Sequence, residues 1–151
     1  DDPVKALKAL AAAPTLRHAS FFISVPNYAV WHNRLSTLFG QHRYNWSGLH
    51  DRTHLRYFTK KSLIEMLEYC GFEVERVTCT PSLVHSAAGL LRKWLFPDSL
   101  VAGNNLALLD SPFYKFYTKW VEPVESWVCN RWPSLLGFQI VIRAKVMETA
   151  L

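Results

Sequence analysis

The run Phe21-Phe22-Ile23-Ser24-Val25, stopped by Pro26-Asn27, constrains the fold of this chain more than any other part of the sequence. Residues Ala19 to Val25 are apolar nearly throughout, the pattern of a strand covered on both faces. Pro26 has no N–H for a ladder hydrogen bond, so the strand ends there. Further on, His50-Asp51-Arg52-Thr53-His54-Leu55-Arg56-Tyr57-Phe58-Thr59 is rich in His and Arg and runs straight into an amphipathic helix. A buried strand that delivers a polar loop to the mouth of a sheet is a common way for α/β proteins to build a ligand site. None of the six glycines stands two residues from another, so no phosphate- or cofactor-cradling glycine loop can be read.

The remaining elements follow from caps and periodicity. Asp2 and Pro3 suit the N-cap and first turn of a helix, with Val4, Leu7, Leu10 and Ala11 apolar to about Ala13, where Pro14 stops it. Asn27 is a candidate cap for a second helix through Phe39, ended by Gly40. Residues 41–58 lack periodicity and read as a structured loop. Thr59 then caps a helix from Lys60 to Cys70, whose Leu63, Ile64, Leu67 and Cys70 form a sheet-facing stripe before Gly71. Phe72 to Thr80 reads as a strand with an irregularity, since Phe72 and Val74 alternate on one parity and Val77 and Cys79 on the other.

A helix over residues 82–96 and a Gly-Asn-Asn loop at 103–105 come next. Ser111-Pro112 starts a further helix, which carries a wide aromatic stripe through Phe113, Phe116, Tyr117, Trp120, Val121, Val124, Trp127 and Val128 and is kinked or split at Pro123. Phe116, Trp120 and Val124 are expected to pack on the sheet; the alternatives for the stripe are a lid over a greasy ligand and a membrane contact. Gly137 to Val146 alternates cleanly, with Phe138, Ile140, Ile142, Ala144 and Val146 on one side. The sum is a single α/β layer domain over residues 1–151 with a small sheet and a helical insertion or lid at 82–132.

Composition narrows the function classes. With 151 residues, half of them hydrophobic, the chain can bury a core of its own. A net charge of +5 with scattered Lys and Arg gives no stripe for nucleic acid. Cys70, Cys79 and Cys129 have neither metal nor redox spacing and fit reduced thiols, hence a cytoplasmic location. No apolar run approaches the roughly 18 residues that span a bilayer. The chain does not begin with Met, and it reads as the tail of something longer.

Asp-Asp-Pro-x-x-x-Leu at the start, Ile23-Ser24-Val25-Pro26-Asn27, Asp51-Arg52-Thr53-His54-Leu55-Arg56-x-Phe58-Thr59, and a helix ending Gly71-Phe72-Glu73-Val74 occur in that order. Together with Pro133-Ser134-Leu135-Leu136-Gly137-Phe138-Gln139, this resembles the C-terminal half of class I S-adenosylmethionine-dependent methyltransferases. The branch is bacterial small-molecule and cell-envelope enzymes, similar in layout to quinone-biosynthesis O-methyltransferases. The resemblance implies a Rossmann-like sheet of order 3-2-1-4-5-7-6 with the seventh strand antiparallel. Residues 19–25, 72–80 and 137–146 would be strands five, six and seven. Strands one to four and the main S-adenosylmethionine contacts would then precede residue 1. The open edge of the strand at 20–25 would be met by a missing N-terminal half or by a second copy of the chain.

The resemblance also implies site residues, each with a plainer alternative. His54 is the candidate base for an acceptor hydroxyl, or a loop histidine bonded to backbone. Arg52 and Arg56 would orient an anionic acceptor, or pair with surface carboxylates. Asn27, Tyr28 and His32 would line the acceptor pocket; Asn27 serves equally as a helix cap, and Trp31 beside them as core. His50-x-x-x-His54 has a spacing that binds metal on a helix, but here it lies in a loop, and no metal is expected. The implied function is methyl transfer to a small-molecule or cell-envelope acceptor, preferably at oxygen. From a different class comes a non-catalytic assembly module with protein or peripheral membrane contacts.

Overall fold

Asp2 does cap the first helix: its Oδ1 accepts from Val4 N at 3.0 Å, and α1 runs Pro3–Ala11. A computed structural model describes residues 2–42, 50, 52, 54–81 and 112–148, without the side chains of Phe113 and Tyr114. The expected helix at 82–96 and the loop at 103–105 lie outside the described residues. A single 3-10 turn at Pro14–Leu16 leads from α1 into β1, Phe21–Pro26. Helix α2 covers Trp31–Leu38 and α3 Lys60–Tyr69; β2 is Phe72–Pro81. Helix α4, Pro112–Phe116, passes through a π-helical turn at Tyr117–Val121 into α5, Glu122–Arg131. The short α6, Pro133–Leu136, then delivers β3, Gly137–Val146.

The three strands form one sheet in the order β1-β3-β2, and β3 is antiparallel to both neighbours. The last strand in sequence is thus the central one, and β1 and β2 run parallel to each other across it. Its burial explains why its alternation is so clean. Ile140, Ile142, Ala144 and Val146 face a core built with Leu63, Leu67, Cys70 and Phe72, and Val4, Leu7 and Ala11 of α1 close over the same side. Phe21 meets Phe72 edge-on at 5.0 Å, tying the two outer strands across β3.

The irregularity read in residues 72–80 is a β-bulge. Val74 pairs with Ala144 and Arg76 with Arg143, leaving Glu75 as the extra residue. The insertion swaps parity, so Val77 and Cys79 return to the core side that Phe72 and Val74 occupy. On the outer face Glu75 then reaches Arg143 at 2.9 Å, and Glu73 reaches Lys145 at 3.3 Å. Pairs as exposed as these contribute little stability but keep the face polar.

Five expectations need correction. Strand β1 is not covered on both faces: Phe22 is 73% exposed and Ser24 also faces out, because among the described residues no helix packs on that side. Leu10 lies outside the buried stripe of α1 and is exposed. Helix α2 starts at Trp31 rather than after Asn27, since Asn27 still belongs to the sheet and bonds through its N–H to Phe138 O at 2.9 Å. Phe116, Trp120 and Val124 are not core but 58%, 61% and 61% exposed. Pro123 does not break the helix, because the π turn just before it takes up the lost register. Both glycine terminators hold, Gly40 at φ +69° and Gly71 at φ +89°.

Candidate functional site

At the carboxyl end of β1 the chain must leave the sheet, and Asn27 fixes how. Its side chain is fully buried; Nδ2 donates to the carbonyls of Gly137 (2.8 Å), Ser134 (3.1 Å) and Pro133 (3.2 Å). Its Oδ1 accepts from Ala29 N at 3.0 Å. These bonds join the exit of β1 to the entry of β3. A parallel bridge pairs Asn27 with Phe58, and Tyr28 N donates to Phe58 O at 2.8 Å. The His/Arg-rich connector is therefore held as an extra edge beside the loop after β1. Asn27 is neither the cap of α2 nor open to a ligand; it is the clamp of this corner.

The clamp gathers rings. Tyr28, from the loop after β1, stands 5.2 Å from Tyr57 and 6.0 Å from His50, centroid to centroid. His42, beyond the end of α2, lies edge-on to His50 at 4.6 Å, and Tyr28 Oη approaches His42 Nδ1 at 3.5 Å. His50 and Tyr57 close the group at 5.8 Å. His32, on α2 and edge-on to Trp31, is near enough to His50 for their charges to interact.

Asn33 sets the proton arrangement within this cluster. It is buried in α2, and its Nδ2 donates to Tyr28 O, which fixes the amide so that Oδ1 points at His50 Nε2, 2.6 Å away. A carbonyl oxygen only accepts, so the His50 proton sits on Nε2. Nδ1 then carries the lone pair; it is buried and has no hydrogen-bond partner among the described residues. Burial holds the His50 pKa below its ordinary 6.5, and the neighbouring His42 and His32 push it the same way. Burial likewise lowers His32. The result is a neutral imidazole with a sheltered basic nitrogen, walled by aromatic rings, at the end of a sheet where open α/β folds bind ligands.

Of the residues singled out from sequence, Tyr28 and His32 belong to this cluster. Arg52 and Arg56 are exposed on the connector and His54 is half-buried there. His42, Asn33 and Tyr57 are the members that sequence reasoning passed over. Asn33 carried little signal, since it is the third residue of α2, in the first turn, where a short polar side chain is unremarkable. His42 and Tyr57 carried none, because they meet only through the Asn27–Phe58 bridge.

Other features are chemically quieter. All three cysteines are buried and outside any disulfide among the described residues. Burial foremost, then Cys129, raises the Cys79 thiol to about 11, and burial raises Cys70 too, which suits packing rather than nucleophilic chemistry. Among the described residues no group of three or more His, Cys, Asp or Glu stands as a metal site. An open groove of about 530 Å³, lined by Arg17, His18, Ser20, Glu75 and Lys145, lies at the opposite end of β1, away from the rings. No helix among the described residues is long and apolar enough to cross a membrane.

In comparisons with known proteins, no family model matches the chain and no curated protein matches it in sequence.

Proposed function

We propose that the chain is the acceptor-binding portion of a class I methyltransferase, acting on an oxygen of a small-molecule or cell-envelope substrate. The observation that carries this is the sheet order: β3 lies between β1 and β2 and runs against both. That is the 5-7-6 arrangement the sequence resemblance implies. A cluster of basic and aromatic side chains at the carboxyl end of the strand matching the fifth adds to it.

The residues present do not make a cradle for S-adenosylmethionine, because the chain has no paired glycines and the described end of β1 offers rings instead. Its main contacts would come from sequence this chain does not carry. When bound, it would supply an electrophilic methyl group. The chain's own part is to hold the acceptor and take its proton. His50, whose Nδ1 has no hydrogen-bond partner among the described residues and whose tautomer is set by Asn33, is better arranged for that than His54, four residues on. The acceptor O–H bond would break as Nδ1 takes the proton, leaving that bond's electron pair on the acceptor oxygen. Arg52 and Arg56, exposed on the same connector, would meet an anionic part of the acceptor.

Calorimetric titration of S-adenosylmethionine into the 151-residue chain should show no tight binding. Protein extended by its upstream coding sequence should bind it and methylate a small-molecule extract. Tight binding by the chain alone, or a stop codon where a strand and Gly-x-Gly loop are expected, would overturn the proposal.

A further inference from the structure

The helix from Pro112 to Arg131 is built inside out. Its buried positions include Glu125 and Cys129, and Asn130 reaches the sheet to accept from Cys79 N at 3.1 Å. Its exposed positions are Phe116, Trp120, Val124 and Trp127, the last at 71%. They are spaced four, four and three residues apart, and so form one row along the helix. A helix packed only against its own domain in water would turn these faces the other way.

Charge along the row indicates what it meets. Lys115, Lys119 and Arg131 are exposed, and Lys119 Nζ lies 5.3 Å over the Trp120 ring. The acidic residues are withdrawn: Glu125 is buried and accepts from Tyr117 Oη at 2.6 Å, and Glu122 is half-buried. Burial, and then that hydrogen bond, raise the Tyr117 pKa, so the phenol stays a donor that keeps Glu125 turned inward. An aromatic row flanked by cations and cleared of anions is the composition of a helix lying in the headgroup region of a bilayer. A second copy of the chain is a poorer occupant, since a two-fold contact through this row would bring the cationic set Lys115, Lys119 and Arg131 of one copy against the same set of the other.

We propose that this helix seats the protein on an anionic membrane surface, with Phe116, Trp120, Val124 and Trp127 entering the interface and Lys119 and Arg131 meeting lipid phosphates. The inference is independent of the methyltransferase proposal. The test is flotation of the full chain with vesicles of equimolar phosphatidylglycerol and phosphatidylcholine, beside vesicles of phosphatidylcholine alone. Binding is expected to the anionic vesicles with a blue shift of tryptophan emission. It should fall at least about tenfold in Trp120→Ser/Trp127→Ser, given the apolar area removed, and to a lesser degree in Lys119→Glu, with unchanged circular dichroism. No binding by the wild-type chain, equal binding to both vesicle types, or a double variant that binds like wild type would overturn it. So would an oligomer that the double variant dissolves in the absence of vesicle binding, which would assign the row to a protein contact.

Discussion

Asn33 Oδ1 stands 2.6 Å from His50 Nε2, and because it can only accept, it decides which ring nitrogen of His50 is basic. The link runs from a helix residue to a connector residue that sequence alone would not pair. It makes His50 a neutral imidazole of fixed tautomer, the property any base in this corner needs.

That property has a pH signature. Burial first, and then His42 and His32, keep the folded-state pKa of His50 below the 6.5 of the unfolded chain. The unfolded chain therefore binds more protons, and stability should be full above about pH 6.5 and decline as pH falls through the lower folded value. Melting temperatures taken from neutral to mildly acidic buffer should fall less steeply in His50→Gln than in wild type. Nitrogen NMR should find the proton on Nε2, and in Asn33→Leu that preference should disappear.

Asn27 should be the costliest polar residue to lose. Asn27→Ala strips a donor from three carbonyls at 2.8, 3.1 and 3.2 Å within a fully buried corner. A loss of about 2–4 kcal/mol is expected from the desolvated partners left behind. Asn27→Asp should be at least as damaging, since a carboxylate would face those same carbonyls. Urea unfolding measures both, and a loss near zero for Asn27→Ala would refute the clamp.

Gly137 is required for space rather than for an unusual backbone. A Cβ there would stand 2.5 Å from Cys79 Cβ and 2.7 Å from Pro133 O. Gly137→Ala should cost about 1–3 kcal/mol through overpacking, and the paired change Cys79→Gly should restore part of it. Denaturant midpoints of the single and double variants test this.

The outer edge of β1 should mediate association. It is paired with β3 on one side only among the described residues, and Phe22 lies 73% exposed beside it. Size-exclusion chromatography of the chain should show concentration-dependent oligomers that Phe22→Lys reduces. A clean monomer at all concentrations would count against an interacting edge.

Local chemistry made much of the framework legible. Asp2 and Thr59 announced their helices because a side-chain oxygen can satisfy a first-turn N–H regardless of what lies elsewhere; Thr59 does so in a capping box with Ser62. The alternation of residues 137–146 and the parity break near Glu75 were both visible, since side chains on a strand must alternate and a bulge must disturb them. What the sequence could not determine is contact between distant segments. Asn27 looked like a cap because its short-range options were all that could be seen, whereas the carbonyls its Nδ2 binds lie more than a hundred residues away. The aromatic row at 116–127 looked like core because apolarity states a preference for leaving water, not the direction in which to leave it. Only the tertiary structure decided that, by committing the opposite side of the helix, with Glu125 and Cys129, to the rest of the domain.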